Sequence, residues 1–315
     1  MSTANIFMMC KNEADLLIPW GIYHGEIFGY KNITIIDNGT DDPKAIIALE
    51  KIEAMGANVI RHFNKPEHFI AKGEIINKLI SDAERDNPTD FYFPLDCDEF
   101  IGACINEELF FDLENINFVL APYKNDSRVL MIGRAYDNHP ILHGYFRPSN
   151  DQRKCFFAHS TCYILDHGFH VGESKAGNIR VKTNIVYMHY HYKPYNIIVD
   201  HARAKLRPFL PDIDHRELNS IPKDIAGSHL LGHLQHESAE EYYSSFGDEN
   251  YMYIPQFGCT LSLLGQSLPF YNGERCPEGF NPEKYLLVNK DIRNAGQSAT
   301  SHYLRHGRFE GRQWF

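Results

Sequence analysis

Phe91-Tyr92-Phe93-Pro94-Leu95-Asp96-Cys97-Asp98-Glu99-Phe100 is the stretch on which the fold turns. Its first half is an apolar run of strand length, and its second half puts three acidic residues into four positions. Acidic side chains at the end of a buried strand are costly unless something positive sits beside them. In extended chain Asp96 and Asp98 point to the same side, so they can share one ligand. Two hard carboxylate donors with open positions suit Mg²⁺ or Mn²⁺, which keep waters and substrate phosphates in their shells. An Asp-x-Asp alone is more often an ordinary acidic turn, because so short a motif recurs by chance. The flanking chain decides between the two.

Upstream, Asn5-Ile6-Phe7-Met8-Met9-Cys10 reads as a buried strand, broken by Lys11-Asn12-Glu13. Leu16, Leu17, Trp20, Ile22, Tyr23 and Ile27 then recur at helical spacing between Ala14 and Phe28. Asn32 to Ile36 is a β-branched second strand ending in the acidic turn Asp37 to Asp42. A helix from Pro43 to Met55, a strand from Asn58 to Phe63, a helix from Ala71 to Asp86 and a strand from Asp90 to Leu95 follow. Strand and helix alternate, which implies parallel strands with right-handed crossovers and helices on both faces. In such open sheets ligands bind beyond the carboxyl ends of the strands. Asn12-Glu13, Asp37 and Asp96/Asp98 all fall there, so three polar clusters converge on one edge. A Gly-x-Gly-x-x-Gly turn and a P-loop are both missing, which disfavours a dinucleotide oxidoreductase and a P-loop nucleotidase.

Downstream the alternation stops. Phe118 to Ala121, Val129 to Ile132 and Cys155 to Ala158 read as short strands punctuated by Gly, Asn and Pro. Helical patterning returns from Tyr195 to Arg207 and from Ser238 to Phe246. The expected organisation is a main domain over 1–254, a linker or ordered loop over 255–279, and a small helical module over 280–315. Asn281 and Pro282 are placed to cap and open a helix in that module.

A formal net charge of −10 excludes a general nucleic-acid binder, which carries a basic face. Seven cysteines, with no Cys-x-x-Cys among them, point to a reduced, cytoplasmic setting. No apolar run approaches the length of a membrane span, and the N-terminus lacks a signal-peptide pattern.

Met9-Cys10-Lys11-Asn12-Glu13-Ala14, then Trp20, His24 and Gly29, then Ile36-Asp37-Asn38-Gly39-Thr40-Asp41 and Leu95-Asp96-Cys97-Asp98-Glu99-Phe100 resemble bacterial glycosyltransferases of the family 2 / family 92 type. The resemblance covers roughly residues 5 to 205. It implies a GT-A (Rossmann-like) α/β fold, a mostly parallel sheet with flanking helices. It also implies metal-dependent transfer of a sugar from a nucleotide sugar, with UDP the expected nucleotide, to a glycan or lipid-linked acceptor. On that resemblance Asp37 lies near base or ribose, Asp96 near ribose or metal, and Asp98 on the metal, with Asn12 and Glu13 beside the nucleotide. Phe280 to Leu286, Asn289 to Ile292, His302 to Gly307 and Glu310 to Arg312 resemble a helical module appended to bacterial polysaccharide-related proteins, a candidate dock for a protein partner.

A third metal ligand is usual in this fold, and the chain offers His167, His170, His189 and His191. His189-Tyr190 after the apolar Ile185-Val186-Tyr187, and His170 in a Gly-containing loop, resemble the family's late histidines. An imidazole ligand favours Mn²⁺ over Mg²⁺. An inverting enzyme needs a carboxylate base for the acceptor hydroxyl. Asp137, Asp151, Asp166 and Glu173 are candidates, and Asp166, beside two loop histidines, is preferred. Arg153 and Lys154 read as solvated surface, and Trp20 as core. The competing functions are a sugar nucleotidylyltransferase, which calls for a Gly-rich, Arg-containing loop where Lys11-Asn12-Glu13 stands, and a non-catalytic sugar-nucleotide or glycan-binding protein.

Overall fold

Every residue of β1 (Ala4–Cys10) is buried, as befits an apolar run with a strand on either side. The computed structural model describes residues 2–149, 153–207, 210, 230–246, 250–270, 276–277, 279–308 and 310–314; Asp151 lies outside them. From β1 the chain passes through α1 (Ala14–Phe28), β2 (Ile33–Asp37), α2 (Pro43–Ala54), β3 (Asn58–Ile60), α3 (Pro66–Ile70), α4 (Lys72–Asp86) and β4 (Phe91–Leu95). The four strands run parallel in the order β4-β1-β2-β3, the α/β alternation expected from the sequence. Asp42 caps α2 by accepting the Lys44 N–H, with Pro43 at the first helical position. The short α3 was not anticipated. Pro66 opens it, its missing N–H being one that a first turn leaves unpaired anyway.

Next come β5 (Glu99–Ile105), β6 (Glu108–Phe110), α5 (Leu113–Leu120), β7 (Val129–Met131), β8 (Arg134–Asn138), β9 (Tyr145–Ser149), β10 (Cys155–Ala158), β11 (Cys162–Leu165), β12 (Gly172–Ser174), β13 (Arg180–Lys182) and β14 (Ile185–His189). Phe118 to Ala121, expected as a strand, belongs instead to α5 and the turn after it. The Asp112 side chain caps α5 by accepting the Asn115 N–H. Ile116, Val119 and Leu120 then bury one helical stripe while Phe118 is left exposed. The remainder is α6 (Tyr195–Leu206), α7 (Leu231–Leu234), α8 (Ala239–Ser244), β15 (Met252–Tyr253), α9 (Pro255–Leu263), α10 (Pro282–Val288), α11 (Lys290–Asn294) and α12 (Ala299–His302). Among the described residues no helix is long and apolar enough to cross a membrane.

The chain divides into two units. The first comprises Met1–Asp137, Pro148–His191 and Ile254–Pro269. Its larger sheet has seven strands in the order β13-β7-β10-β4-β1-β2-β3, with β10 antiparallel to both β4 and β7. A second set of strands in this unit runs β8-β14-β5-β6. Trp20, Tyr23, Phe91, Phe93, Phe100 and Phe156 are fully buried, each contributing about 1.5–3 kcal/mol through burial. The stretch 255–279, expected as linker or ordered loop, begins with α9, whose buried Phe257 packs edge-on against Tyr23 and Phe100.

The second unit comprises Asn138–Arg147, Tyr192–Tyr253 and Phe270–Phe315. One of its cores gathers Ile198, Ala202, Leu206, Leu231, Leu234 and Tyr242. Another gathers Leu142, Tyr285, Ala299, Tyr303 and Leu304. Asn281 caps α10 through the Lys284 N–H, with Pro282 in the first turn, as the sequence led us to expect.

Candidate metal centre

Sheet register builds one side of the site. His189, the last residue of β14, is paired across an antiparallel ladder with Glu99 and across a parallel ladder with Asp137. Residues opposite one another in neighbouring strands share a face, so Glu99, His189 and Asp137 form a row. Asp98 precedes Glu99, and its carbonyl accepts the Tyr190 N–H at 2.8 Å, tying the turn to the end of β14. The result is His189 Nδ1 3.0 Å from Asp137 Oδ1 and Nε2 3.7 Å from Asp98 Oδ2. Ligand atoms of Asp98, Glu99 and His189 all lie within 4.8 Å of one another. Atoms bound to one divalent cation at about 2.0–2.3 Å stand at such spacings, so this donor set fits a metal. Two carboxylates with an imidazole match Mn²⁺ better than Mg²⁺.

The electrostatics agree. Burial alone would pull the His189 imidazole down, but Asp98, the hydrogen bond to Asp137 and the charge of Glu99 together push it up to about 9. The row therefore attracts positive charge at the point where a cation would sit. Burial likewise raises the Glu99 carboxyl to about 7, with Lys154 opposing and Asp96 reinforcing the rise. Glu99 is anchored from both ends: its Oε2 accepts the Asp96 N–H at 2.8 Å, and its carbonyl accepts the Trp20 indole N–H at 2.9 Å. Trp20, expected as core, is core with this one polar task.

Asp96 faces other company. Lys72 Nζ lies 2.8 Å from its Oδ1 and Lys154 Nζ 2.5 Å from its Oδ2. Burial would raise the Asp96 carboxyl, but Lys154 and Lys72 hold it well below the usual carboxylate range. Lys154 is not the solvated surface residue the sequence led us to expect; it is 3% exposed and immediately precedes the wholly buried strand β10. His170 also belongs to this side. Burial and Lys154 pull its imidazole down to about 4, and the carboxylates acting on it are those of Asp166 and Asp96. Of the residues expected around the cation, the structure thus brings together Asp98 and His189, while Asp96 and His170 stand with the lysines. Glu99 and Lys72 belong to the site although the sequence alone does not single them out. The third acidic residue opening a buried strand was the signal for Glu99.

The nucleotide-side candidates fall where the parallel strands end. Asn12 takes a left-handed conformation (φ 58°), which turns its side chain toward the loop after β2. Its Oδ1 accepts the Asp41 and Asp42 N–H groups at 3.0 Å, and its Nδ2 donates to Asp41 at 2.6 Å. Asp37 is 9% exposed, and its Oδ1 accepts the Thr40 N–H at 2.8 Å. Glu13 occupies the N-cap of α1, where its carbonyl accepts the Leu16 and Leu17 N–H groups. Asp166 accepts the Gly168 N–H with one oxygen and the Val171 N–H with the other, at 3.2 and 2.8 Å. These two bonds hold its own loop together.

No protein-family model matches the chain, and no curated protein matches it. Solved structures resemble it loosely. Staphylococcus aureus TarS 1–349 is 10% identical, with 99% of this chain and 93% of that one covered at a TM-score of 0.35. The mannosyltransferase PcManGT from Pyrobaculum calidifontis, in complex with GDP-Man and Mn²⁺, is 10% identical, with 99% and 88% covered at a TM-score of 0.34. A cytidylyltransferase from Leptospira borgpetersenii is 12% identical, with 51% of this chain and 62% of that one covered at a TM-score of 0.27. The chain spans 54% of the longer S. aureus TarS chain. Likenesses this loose carry no argument about the chemistry of this chain.

Proposed function

We propose that the chain is a metal-dependent glycosyltransferase that moves a sugar from a nucleotide sugar, with UDP the expected nucleotide, to an acceptor hydroxyl with inversion. The observation that carries the reading is the Asp98–Glu99–His189 donor set at the carboxyl edge of a mostly parallel sheet. The resemblance of the Asn12, Asp37 and Asp96–Asp98 segments to family 2 / family 92 enzymes supports it. A divalent cation there, Mn²⁺ by the donor set, would act as a Lewis acid on the diphosphate leaving group. Asp98 and His189 are assigned to hold it, with Glu99 completing the charge beside them. Asp137 fixes the His189 ring through Nδ1 and leaves Nε2 facing Asp98, the way an outer carboxylate orients a ligating histidine. Asp37 and the loop that Asn12 stitches to β1 are assigned to the base and ribose, and Asp96 to the ribose. Asp166 shapes the loop that ends at His170 and is assigned as the base that would take the acceptor hydroxyl proton. The helical C-terminal segment is assigned to partner docking.

The test is donor turnover. Purified protein incubated with UDP-, GDP- and dTDP-sugars, with Mn²⁺ and with EDTA, is expected to release nucleoside diphosphate from one of them only in Mn²⁺. Product anomer analysis by NMR reads the stereochemistry. Formation of a nucleotide sugar from a nucleoside triphosphate and a sugar 1-phosphate, with pyrophosphate and no nucleoside diphosphate released, would instead make it a nucleotidylyltransferase. Binding of a nucleotide sugar without turnover, with every acceptor tried, would make it a binding protein.

A further inference from the structure

Lys72 and Lys154 are the least expected part of the site. Their side chains are 6% and 3% exposed, whereas the Asp96 side chain they grip is 33% exposed. Each ammonium takes its own carboxylate oxygen, so the carboxylate is held from inside with part of its surface left open. The fully buried Phe169 ring lies 4.2 Å from Lys72 Nζ and 5.0 Å from Lys154 Nζ, within cation–π range of both. Lys154 also donates to the Gly168 carbonyl at 2.8 Å. Gly73, next to Lys72, lets the Leu165–Asp166 backbone close on α4; a Cβ there would overlap the Leu165 carbonyl oxygen. The 165–169 loop thus holds the lysines, and the lysines hold Asp96.

Two buried cations are costly to assemble. A surface acidic turn would need neither. We propose that Lys72 and Lys154 are positioning residues that fix Asp96 as a hydrogen-bond acceptor for the ribose hydroxyls of the donor and keep it out of the cation's shell. The inference rests on the glycosyltransferase reading and refines how its two acidic residues divide the work. A divalent ion on Asp96 would meet two ammonium groups already on that carboxylate, and like charges at such range repel strongly in a poorly hydrated site. A hydroxyl carries only a partial charge and needs one free lone pair, which the exposed part of Asp96 retains.

The experiment compares binding of UDP and 2′-deoxy-UDP in Mn²⁺ by calorimetry, alongside Mn²⁺ affinity by EPR of the free ion. The wild type is expected to prefer the ribonucleotide by about tenfold, the scale of a hydrogen bond to a charged group. Lys72→Met is expected to reduce that preference to within about twofold while leaving Mn²⁺ affinity unchanged, and Lys72→Arg to restore it in part. A Lys72→Met protein that keeps the tenfold preference overturns the proposal. Should Lys72→Met fail to fold, the near-isosteric Asp96→Asn carries the test. It is expected to bind Mn²⁺ as the wild type does, and a loss as large as that of Asp98→Asn overturns the proposal. If the wild type binds none of UDP, GDP and dTDP in Mn²⁺, the functional reading itself fails, which is distinct from UDP binding that ignores the lysines.

Discussion

Asp96 and Asp98 leave the same strand two residues apart and carry the same carboxylate, but the chain surrounds them differently. Asp96 receives two buried ammonium groups, one from the start of α4 and one from the residue before β10. Asp98 receives a histidine, which is itself hydrogen-bonded to Asp137 and paired in register with Glu99. Asp96 thus has an ammonium group on each oxygen, one of which, Lys154, also lies 3.5 Å from Glu99, whereas Asp98 faces His189 and helps lift that imidazole to about 9. On the proposed reading the acidic motif makes two sites: Asp96, gripped by lysines, serves for position, and Asp98, beside His189, serves for a cation.

The sharpest way to break the comparison is to remove the unsatisfied charge. Asp98→Asn keeps shape and should keep the fold, yet Mn²⁺-dependent donor turnover is expected to fall about 100- to 1,000-fold, the scale of one lost electrostatic contact in a catalytic site. Steady-state assays on the folded variant read this directly, and near wild-type turnover would remove Asp98 from the metal site.

The satisfied side should respond in stability. Lys154→Met leaves Asp96 and Glu99 short of a buried partner, and breaking such a pair costs about 3 kcal/mol or more. Arg61→Ala, which breaks the exposed Arg61–Glu53 pair with side chains 45% and 41% exposed, is expected to cost less than about 1 kcal/mol. Urea denaturation of the two variants measures the gap. Equal losses would mean that Lys154 is not held as the structure has it.

Asp137 sharpens the histidine side. Asp137→Asn keeps a side chain beside His189 Nδ1 but removes its charge, and Mn²⁺ affinity is expected to drop about 10- to 100-fold, as outer-carboxylate changes do. An unchanged affinity by EPR titration would separate His189 from the cation.

A second buried histidine contrasts with His189. His24 lies between Trp20 O, 3.0 Å from Nδ1, and the Ile101 N–H, 3.4 Å from Nε2, which suits a neutral ring. Burial lowers it to about 3, opposed by the bond to Trp20. The unfolded chain takes up this proton near pH 6.5 and the folded chain only near 3. Stability from a neutral His24 is thus present above about pH 6.5 and lost as pH falls toward about 3, by up to about 1.4 kcal/mol per pH unit. Thermal melts of wild type and His24→Gln between pH 7 and 4 are expected to differ in slope with that sign, and parallel curves would contradict it.

Apart from α3, the order of strands and helices up to β4 was readable, because the strands are short runs rich in apolar or β-branched residues and the longer crossover helices keep their 3.6-residue stripe. The acidic edge was readable for the same reason, since parallel topology says where strands end. The helix α5 was not. Phe118-Val119-Leu120 is a short apolar run that suits strand or helix, and only the Asp112 cap tips it. Nor was the division between Asp96 and Asp98. It depends on Lys72 and Lys154 arriving from distant segments, and a lysine beside an arginine reads as surface until β10 is seen to be buried. His189 and His170 were equivalent as sequence. Strand register separates them, putting His189 opposite Glu99, while the loop leaves His170 beside Lys154.

The central claim is that the cation belongs to Asp98 and His189 and that Asp96 belongs to the lysines. The most direct measurement is anomalous diffraction at the manganese edge from crystals grown with Mn²⁺ and UDP. The account predicts one manganese peak within about 2.0–2.3 Å of an Asp98 oxygen and His189 Nε2, with Lys72 and Lys154 still on Asp96. A peak ligated by Asp96, or one out of reach of His189, would contradict it.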